Sequence, residues 1–259
     1  MMHITRSLLK STAAMAMALA LGLLCAPAMA WDWSFGTRVL GSGQLSKTQR
    51  QVTGFKGVSL ALPFGIEIVQ GETEGVLIET DDNIAPLIET VVESDQLKIR
   101  WSERVRSIKP TALKITVNAR TVERISISGS GSVRSEKIQS PDLQARISGS
   151  GDIRIATLNA NALSVDIAGS GDFFASGRAD TVRVRIAGSG NLKTGTLTAR
   201  NVKLSIAGSG DANVWASQTL DVNIAGSGDV TYFGEAGVIQ SVAGSGRIRK
   251  LGAAPNPGS

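Results

Sequence analysis

The chain has 259 residues, a formal net charge of +5, and a single Cys and a single His. This charge bias is too weak to indicate a nucleic-acid-binding protein, which needs a strongly basic surface to neutralise phosphates. The length is sufficient for one large domain or a repeat array, and 29 glycines with only 4% aromatic residues favour tight turns and thin stacked layers.

The first 30 residues have the features of a secretory signal peptide. Arg6 and Lys10 precede an uninterrupted apolar run, Thr12–Leu24, and Ala28–Ala30 supplies the small-x-small pattern of a cleavage site. The run of about 13 residues is shorter than the roughly 20 needed to span a bilayer. We therefore expect export and cleavage before Trp31, with no membrane-spanning segment in the remaining chain.

Signal removal would change the chemistry available to the protein, because Cys25 and His3 both leave with it. The mature chain would contain no disulfide, no thiol nucleophile and no imidazole, which argues against an enzyme based on Cys or His. Leu24 is a poor residue to precede a lipidated cysteine, so a lipoprotein is not predicted. Residues 31–46 are predicted to form an N-terminal linker.

The segment 47–120 is predicted to form irregular β structure that covers the first layer of the fold. Such a cover is needed because an open sheet edge exposes unpaired N–H and C=O groups. Residues 83–90 are compatible with one or two helical turns. The predicted strands are Phe55–Leu62, Gly65–Gln70, Val76–Thr80, Gln96–Trp101 and Ala112–Asn118.

The second half of the chain contains seven Gly-Ser-Gly triplets. Their spacings are 20, 20, 19, 20, 18 and 18 residues, and self-similarity at such a period is typical of a solenoid. Glycine suits corners because it reaches backbone angles that strain other residues. The triplets begin at Gly129, Gly149, Gly169, Gly188, Gly208, Gly226 and Gly244.

The flanks of the triplets repeat as well, with apolar residues at alternate positions before each triplet and again after it. This period of two indicates half-buried strands. A third, weaker strand is indicated near Ile138, Leu158 and Leu197. A unit of 18–20 residues is too short for a strand, a crossover helix and two loops. It accommodates two or three short strands joined by tight corners.

These observations predict an all-β protein whose residues 121–251 form a single-stranded parallel β-helix of about seven coils. Residues 47–120 would cap it, and 252–259 would be a disordered tail. The alternative is an up-and-down antiparallel barrel with a hairpin turn at each triplet. That arrangement is less favoured, because neighbouring hairpin turns fall at opposite ends of a barrel whereas these triplets are nearly identical.

The sequence resembles the head GIN domain family, often labelled autotransporter adhesins, over about residues 50–250. The resemblance rests on GFKGVSLALPFGIEIVQG, VLIETDDNIAPLIETVV, LKIRW, LKITV and ISISGSGSV, followed by the repeated IAGSGD. The order of these segments is specific, whereas a single GSGD would not be. The resemblance implies an exported β-helical domain of a bacterial envelope.

Acidic residues offer two candidate cation sites, but neither is predicted to bind a metal. An aspartate or asparagine follows most triplets, and these residues suit turns because they hydrogen-bond to nearby backbone. The second acidic cluster is interpreted as a solvated loop. No cofactor is predicted, and the triplet serines lack a histidine base. The two sets are Asp152, Asp172, Asn191, Asp211 and Asp229, and Glu72, Glu74, Glu79, Asp81 and Asp82.

Basic residues concentrate within 178–203, followed by an acidic stretch to residue 246. In a solenoid, sequence position corresponds to height, so this predicts a basic belt below an acidic end. We expect a non-enzymatic, adhesin-like structural or binding module of the cell envelope, periplasmic or surface-exposed. Its partners would be an envelope or extracellular polysaccharide or other subunits. The alternative is a polysaccharide-active enzyme that uses carboxylates. The candidate contact residues are Arg178, Arg183, Arg185, Lys193, Arg200 and Lys203.

Overall fold

The computed structural model describes residues 38–102 and 107–253, which are almost entirely β-strand. A single turn of 3-10 helix, Ala85–Leu87, interrupts the strands. The predicted signal peptide, 1–30, and residues 254–259 of the predicted tail, 252–259, lie outside the described residues, whereas Gly252 belongs to the last strand. The strands are β1 (Arg38–Leu40), β2 (Leu45–Arg50), β3 (Gly57–Ala61), β4 (Gly65–Gln70), β5 (Gly75–Asp81), β6 (Ile88–Glu93), β7 (Gln96–Trp101), β8 (Ser107–Lys109), β9 (Leu113–Ala119), β10 (Arg124–Gly129), β11 (Ser132–Gly149), β12 (Asp152–Gly169), β13 (Asp172–Gly188), β14 (Asn191–Gly208), β15 (Ala212–Gly226), β16 (Val230–Phe233), β17 (Gly237–Gly244) and β18 (Ile248–Gly252).

The long strands β11 to β15 each run around most of one coil. In β11 the alternation of buried and exposed residues is broken by two exposed pairs, at 136–137 and 141–142. Each pair marks a corner, so a coil has three faces, which we name by their β11 residues. Face A comprises 132–135, face B 137–140 and face C 142–149, and a Gly-Ser-Gly corner follows face C.

Every pairing between successive strands from β10 to β18 is parallel. The predicted parallel β-helix is therefore confirmed, and the antiparallel barrel is wrong. Seven corners delimit about six turns. The third strand expected near Ile138 and Leu158 is face B, where both side chains are buried. Face C contributes a continuous inner row that includes Val165, Val184 and Leu204.

The triplets are glycine corners because the coils stack too closely for side chains. At the first glycine of the central triplet, Gly188, φ is +129°, and a Cβ would lie 2.3 Å from the carbonyl oxygen of Gly169. At the third, Gly190, a Cβ would lie 2.4 Å from the carbonyl oxygen of Gly171. The corner carbonyls accept hydrogen bonds from the serine main-chain N–H groups of the next coil, as Ser189 N donates to Gly169 O at 2.9 Å.

Differences in coil length are absorbed at the corners beside face B. The register shifts fall between 155 and 158, between 174 and 177, and between 194 and 201. Face C and the triplet that follows it pair residue for residue through all of these coils. Face C is therefore the most regular surface of the solenoid.

The N-terminal strands extend two faces of the solenoid and close its first layer, as expected for 47–120. Face C continues through β10, β3 and β7 to the antiparallel strand β6. Face A continues through β4 and β9 to the antiparallel strands β5 and β2. Strand β1 pairs with β8 in a small separate sheet. Strand β1 and the first residues of β2 fall inside the segment that the sequence predicted to be a linker.

Arg50 ties the two closing strands together. Its guanidinium donates to the carbonyl oxygens of Ile88 at 2.5 Å and Ala85 at 2.7 Å, and to the Thr90 hydroxyl at 3.0 Å. Arg50 ends β2, whereas Ile88 and Thr90 belong to β6. One side chain thus bridges the end of the face A sheet and the end of the face C sheet. Burial lowers the pKa of Arg50 from its ordinary value.

Asp81 is a buried carboxylate that organises the same end of the molecule. It accepts hydrogen bonds from the main-chain N–H groups of Gly43 and Thr111, both at 2.8 Å. Burial raises the pKa of Asp81, but these hydrogen bonds outweigh it, so the pKa lies below its ordinary value. The ionised side chain holds the turn between β1 and β2 against the connection between β8 and β9.

Stability is therefore expected to depend on the ionisation of Asp81. Because its pKa is lowered in the folded state, its contribution is complete above the unfolded pKa of about 3.9 and is lost as the pH falls through the lower folded value. Melting temperatures measured between pH 7 and pH 2 should fall in that acidic window. Asp81→Asn should melt several degrees lower at pH 7 and fall less at acid pH. Asp82→Asn, which removes the same charge from an exposed neighbour, should leave the wild-type profile unchanged.

Candidate functional site on face C

The outer side of face C is a parallel sheet whose side chains stand in regular columns. Neighbouring coils are about 4.8 Å apart, and successive outward residues along a strand are about 6.6 Å apart. Arg183 pairs with Lys203 of the next coil, and Arg185 lies two residues along from Arg183. Arg146 lies two coils below Arg185, with Asp166 between them. We call Arg146, Arg183, Arg185 and Lys203 the basic patch.

The basic patch is exposed and only partly neutralised. Asp166 lies 3.8 Å from Arg146 and 3.6 Å from Arg185, so one carboxylate is shared by two guanidinium groups. Lys203 pairs with Asp221 at 3.0 Å. Arg183 has no acidic partner within 4 Å among the described residues, and its neighbours on the ladder are Ser164 and Lys203. The patch therefore has a surplus of positive charge centred on Arg183.

The six bases singled out from the sequence are distributed over all three faces. Arg183, Arg185 and Lys203 lie together on face C. Arg178 lies on face B, where it donates to Asn159 Oδ1 at 2.8 Å, and Arg200 stands at the next corner, 3.5 Å from Asp180. Lys193, the sixth base, lies on face A and donates to Asp172 Oδ2 at 2.7 Å. The sequence predicted the height of these residues correctly but does not reveal which share a face.

Arg146 joins the patch although sequence inspection did not select it. It stands three residues before its triplet, as do Asp166 and Arg185 in the following coils. Equal distance from a triplet is the signal that would have placed these residues in one column. The density of charge along the chain does not reveal this register.

The aspartates after the triplets form a ladder of hydrogen bonds. Asp172 N–H donates to Asp152 Oδ1 at 3.1 Å, and Asp229 N–H donates to Asp211 Oδ1 at 2.8 Å. The sequence favoured a turn role in which each side chain bonds nearby backbone of its own turn. In the structure each accepts instead from the next coil, and thereby satisfies an exposed main-chain donor.

The pKa values of two ladder residues agree with this structural role. For Asp172, burial raises the pKa, but hydrogen bonds from Lys193 and Asn191 bring it below the ordinary value. For Asp229, the hydrogen bond from Arg247 lowers the pKa. Both carboxylates are therefore ionised and already committed to partners at neutral pH.

The second acidic cluster does not assemble around a common point. Glu79 pairs with Lys47 at 2.5 Å, and that hydrogen bond lowers the pKa of Glu79. Glu74 accepts from Gly54 N–H at 2.8 Å, and Asp82 accepts from the Ser42 hydroxyl at 2.5 Å. Within residues 38–102 and 107–253, no group of three or more Asp, Glu, His or Cys side chains is arranged to hold a metal ion.

A carboxylate-based glycosidase needs one acid whose pKa is raised so that it remains protonated. In the described part of the chain, every carboxyl group with a clearly shifted pKa is shifted downward: Glu79, Asp81, Glu93, Asp172 and Asp229. Three ladder residues, Asn191, Asp211 and Asp229, line an open surface depression rather than an enclosed cleft. Among the same residues, no helix is long and apolar enough to cross a membrane.

Comparison with known proteins gives one family match. The family model described as "Putative auto-transporter adhesin, head GIN domain" matches residues 54–236. This range includes β3 to β16 and the whole basic patch. No curated protein matches.

Solved structures share the fold over most of the chain. A "putative adhesin" from Bacteroides fragilis aligns with a TM-score of 0.78 and 26% identity, covering 82% of this chain and 100% of that one. A "Putative lipid binding protein" from Parabacteroides distasonis aligns with a TM-score of 0.71 and 26% identity, covering 83% and 100%. A "putative adhesin" from Parabacteroides merdae, 20% identical with a TM-score of 0.69, covers 83% and 99% and shares the fold.

Proposed function

The chain belongs to the head GIN domain family, and from that membership we propose that it is an exported, non-enzymatic binding module of the bacterial cell envelope. Its ligand would be an anionic polysaccharide held on face C by the basic patch. Relatives described as adhesins support the binding role. The signal-peptide pattern of residues 1–30 supports export.

The observation that carries this proposal is the register of face C. Because the pairing from β11 to β14 is unbroken on this face, Arg183, Arg185 and Lys203 stand at fixed spacings on one surface. A polymer with a regular series of carboxylates or phosphates can lie across several coils and meet these cations in turn. Arginine suits this task because its guanidinium binds such oxyanions through two parallel hydrogen bonds.

An exposed, polar surface also favours binding over catalysis. Catalysis requires groups that surround the reacting atoms, and face C has no such enclosure. The carboxylates within the patch, Asp166 and Asp221, are engaged with basic side chains. The carboxylate-enzyme alternative therefore has less support from the site than the binding module.

The test uses alginate, a polyuronate, as the anionic probe and dextran as the neutral one. Binding of the exported protein to each polymer is measured by affinity electrophoresis at low and at physiological ionic strength. We expect retention by alginate alone, weakened by salt because the surface charges are screened. Replacing Arg183, Arg185 and Lys203 together with Ser should weaken the affinity for alginate at least tenfold.

The chain offers a matched control for this experiment. Replacing Arg178, Lys193 and Arg200 with Ser removes the same charge from the same coils, but from faces A and B and from the corner between faces B and C. This variant should bind alginate within about threefold of wild type, a difference below 1 kcal/mol. Equal losses in the two variants would assign the binding to net charge and reject face C as the site. Release of reducing ends from alginate would reject the non-enzymatic function.

A further inference from the structure

The last coil of the solenoid ends in an unprotected sheet edge. Strand β17 pairs with β15 on one side, and no described strand pairs with its other side. Its inward residues Val238 and Val242 are 36% and 41% exposed. Their counterparts one coil earlier, Leu220 and Ile224, are fully buried. The hydrophobic core is therefore open at this end of the described chain.

Strand β17 also lacks the features that usually keep sheet edges apart. Natural edge strands carry charges, prolines or bulges that prevent pairing with another chain. The sequence of β17, GVIQSVAG, has no charge and no proline. Its register with β15 is unbroken over eight residues. The edge is regular and apolar, with Ile239 70% exposed on its outer side.

The direction of the free main-chain groups follows from the ladder. Gln144 N–H donates to Glu123 O of the preceding layer. The strand pairing of the successive coils aligns Gln144 with Ile239, so the two residues have the same orientation. N–H groups alternate in direction along a strand. Ile239 and Ser241 therefore point their N–H groups at β15, whereas Val238, Gln240 and Val242 point theirs at the free edge.

The edge is self-complementary about Gln240. The inward row of β17 reads Val238, Gln240, Val242, which is the same in both directions. If a second copy pairs antiparallel with Gln240 on the twofold axis, Val238 lies opposite the partner's Val242. The residues that face the core in each copy would also face the core of the dimer, because the paired positions 238 and 242 are an even number of residues apart. The three facing pairs would then form six main-chain hydrogen bonds.

The shape of the end fits the same twofold axis. On face A, β18 rises one strand above β16 and ends where Gly252 O accepts from Gly234 N–H at 3.0 Å, whereas no described strand lies above residues 235–236 on face B. An axis normal to face C exchanges faces A and B. The raised strand β18 of each copy then meets the lower segment of the other copy, while Lys250 and Glu235 remain paired at 2.5 Å within each copy.

We propose that the β17 edge is an interface for a second copy of this chain, joined by antiparallel β17–β17 pairing about Gln240. Two solenoids would thereby form one continuous face C and one continuous core. This inference is independent of the ligand proposed for face C. The apolar surface of Val238 and Val242 would be removed from water, which favours association.

The first test is the association state of the protein and of an edge variant. Sedimentation equilibrium of the wild-type protein should show a monomer–dimer equilibrium. Gln240→Pro should weaken the dimer at least a hundredfold, because it removes an N–H that faces the partner. The same change keeps the β15–β17 ladder intact, and proline is tolerated where a strand N–H faces away from its own sheet. Its circular dichroism spectrum should match that of wild type.

The second test fixes the register by cross-linking in a Cys25→Ser background, in which the introduced thiols are the only ones. The pairing places Ile239 opposite the partner's Ser241 at a Cα separation of about 4.5 Å, within disulfide range. A mixture of Ile239→Cys and Ser241→Cys chains should give a disulfide-linked heterodimer on mild oxidation. Ile239→Cys alone should not cross-link, since its own copies would lie roughly 8 Å apart.

Three results would each overturn the interface. They are a wild-type protein that remains monomeric at all concentrations, a dimer that Gln240→Pro leaves intact, and cross-linking of Ile239→Cys with itself in place of the mixed pair. The mixed disulfide together with loss of the dimer in Gln240→Pro would establish it.

Discussion

Replacing Gly190 with Val is expected to lower the free energy of unfolding by about 3 kcal/mol. The added Cβ would lie 2.4 Å from the carbonyl oxygen of Gly171 and 2.6 Å from Ile167 Cγ2. Neither atom can move away easily, because each belongs to a coil packed between two others. Chemical denaturation, monitored by circular dichroism, measures the loss.

The matched control is Gly246→Val in the last triplet. Its Cβ would meet similar atoms, 2.4 Å from Gly228 O and 2.9 Å from Ile224 Cγ2. Gly246, however, belongs to the last coil, which can move outward to relieve the clash. The expected loss is therefore about 1 kcal/mol or less. Equal losses at Gly190 and Gly246 would contradict the view that stacking on both sides makes the central corners rigid.

Replacing Phe173 with Ala is expected to lower the free energy of unfolding by about 3–5 kcal/mol. Phe173 is fully buried between Ile153 and Leu192 of the neighbouring coils. Truncation removes a large apolar side chain from the core and leaves a cavity that the hydrogen-bonded ladders on each side prevent from collapsing. The denaturant midpoint should fall with no change in the slope of the transition.

Phe174 provides the control at the adjacent position. Its ring is on the outer side of face A, where Arg154 Cζ lies 5.4 Å from the ring centroid. Phe174→Ala removes the same number of atoms but creates no cavity, and the lost cation–π contact is worth about 1 kcal/mol or less. A loss at Phe174 as large as that at Phe173 would mean that the inward and outward assignments on face A are wrong.

Much of the fold could be predicted from the sequence because the repeat carries its own register. Each triplet marks a corner that admits no side chain, and the alternating residues before it fix which side faces the core. Counting from Gly149 or Gly188 therefore assigns inward positions on face C correctly. Five strands of the N-terminal segment, such as Gly65–Gln70, were also predicted within two residues at each end.

The N-terminal strands that lie at the sheet ends escaped prediction for a physical reason. Strand β6 (Ile88–Glu93) and strand β2 (Leu45–Arg50) are half-exposed edges, so their sequences lack a clear apolar alternation. Their positions depend on partners that are distant in sequence, such as β5 for β2. Residues 83–90, expected to form one or two helical turns, form the single turn Ala85–Leu87 and then enter β6.

The candidate site was predictable in part. The density of basic residues along the chain placed Arg183, Arg185 and Lys203 in the correct coils, but the three other bases of the same stretch lie outside face C. Assigning faces requires the positions of the two corners beside face B. Those corners contain no triplet, and the number of residues in them varies from coil to coil. Only positions that are counted back from the next triplet can therefore be assigned to a face.

The variable corners divide the solenoid into a part that accepts changes in length and a part that does not. Between residues 155 and 201, every gained or lost residue is accommodated beside face B, while the distance from face C to its triplet is constant. Differences in length between the coils are thus confined to one seam along the column. A foreign peptide could be displayed on the same seam, at positions such as Ser176 or Thr196, without disturbing face C.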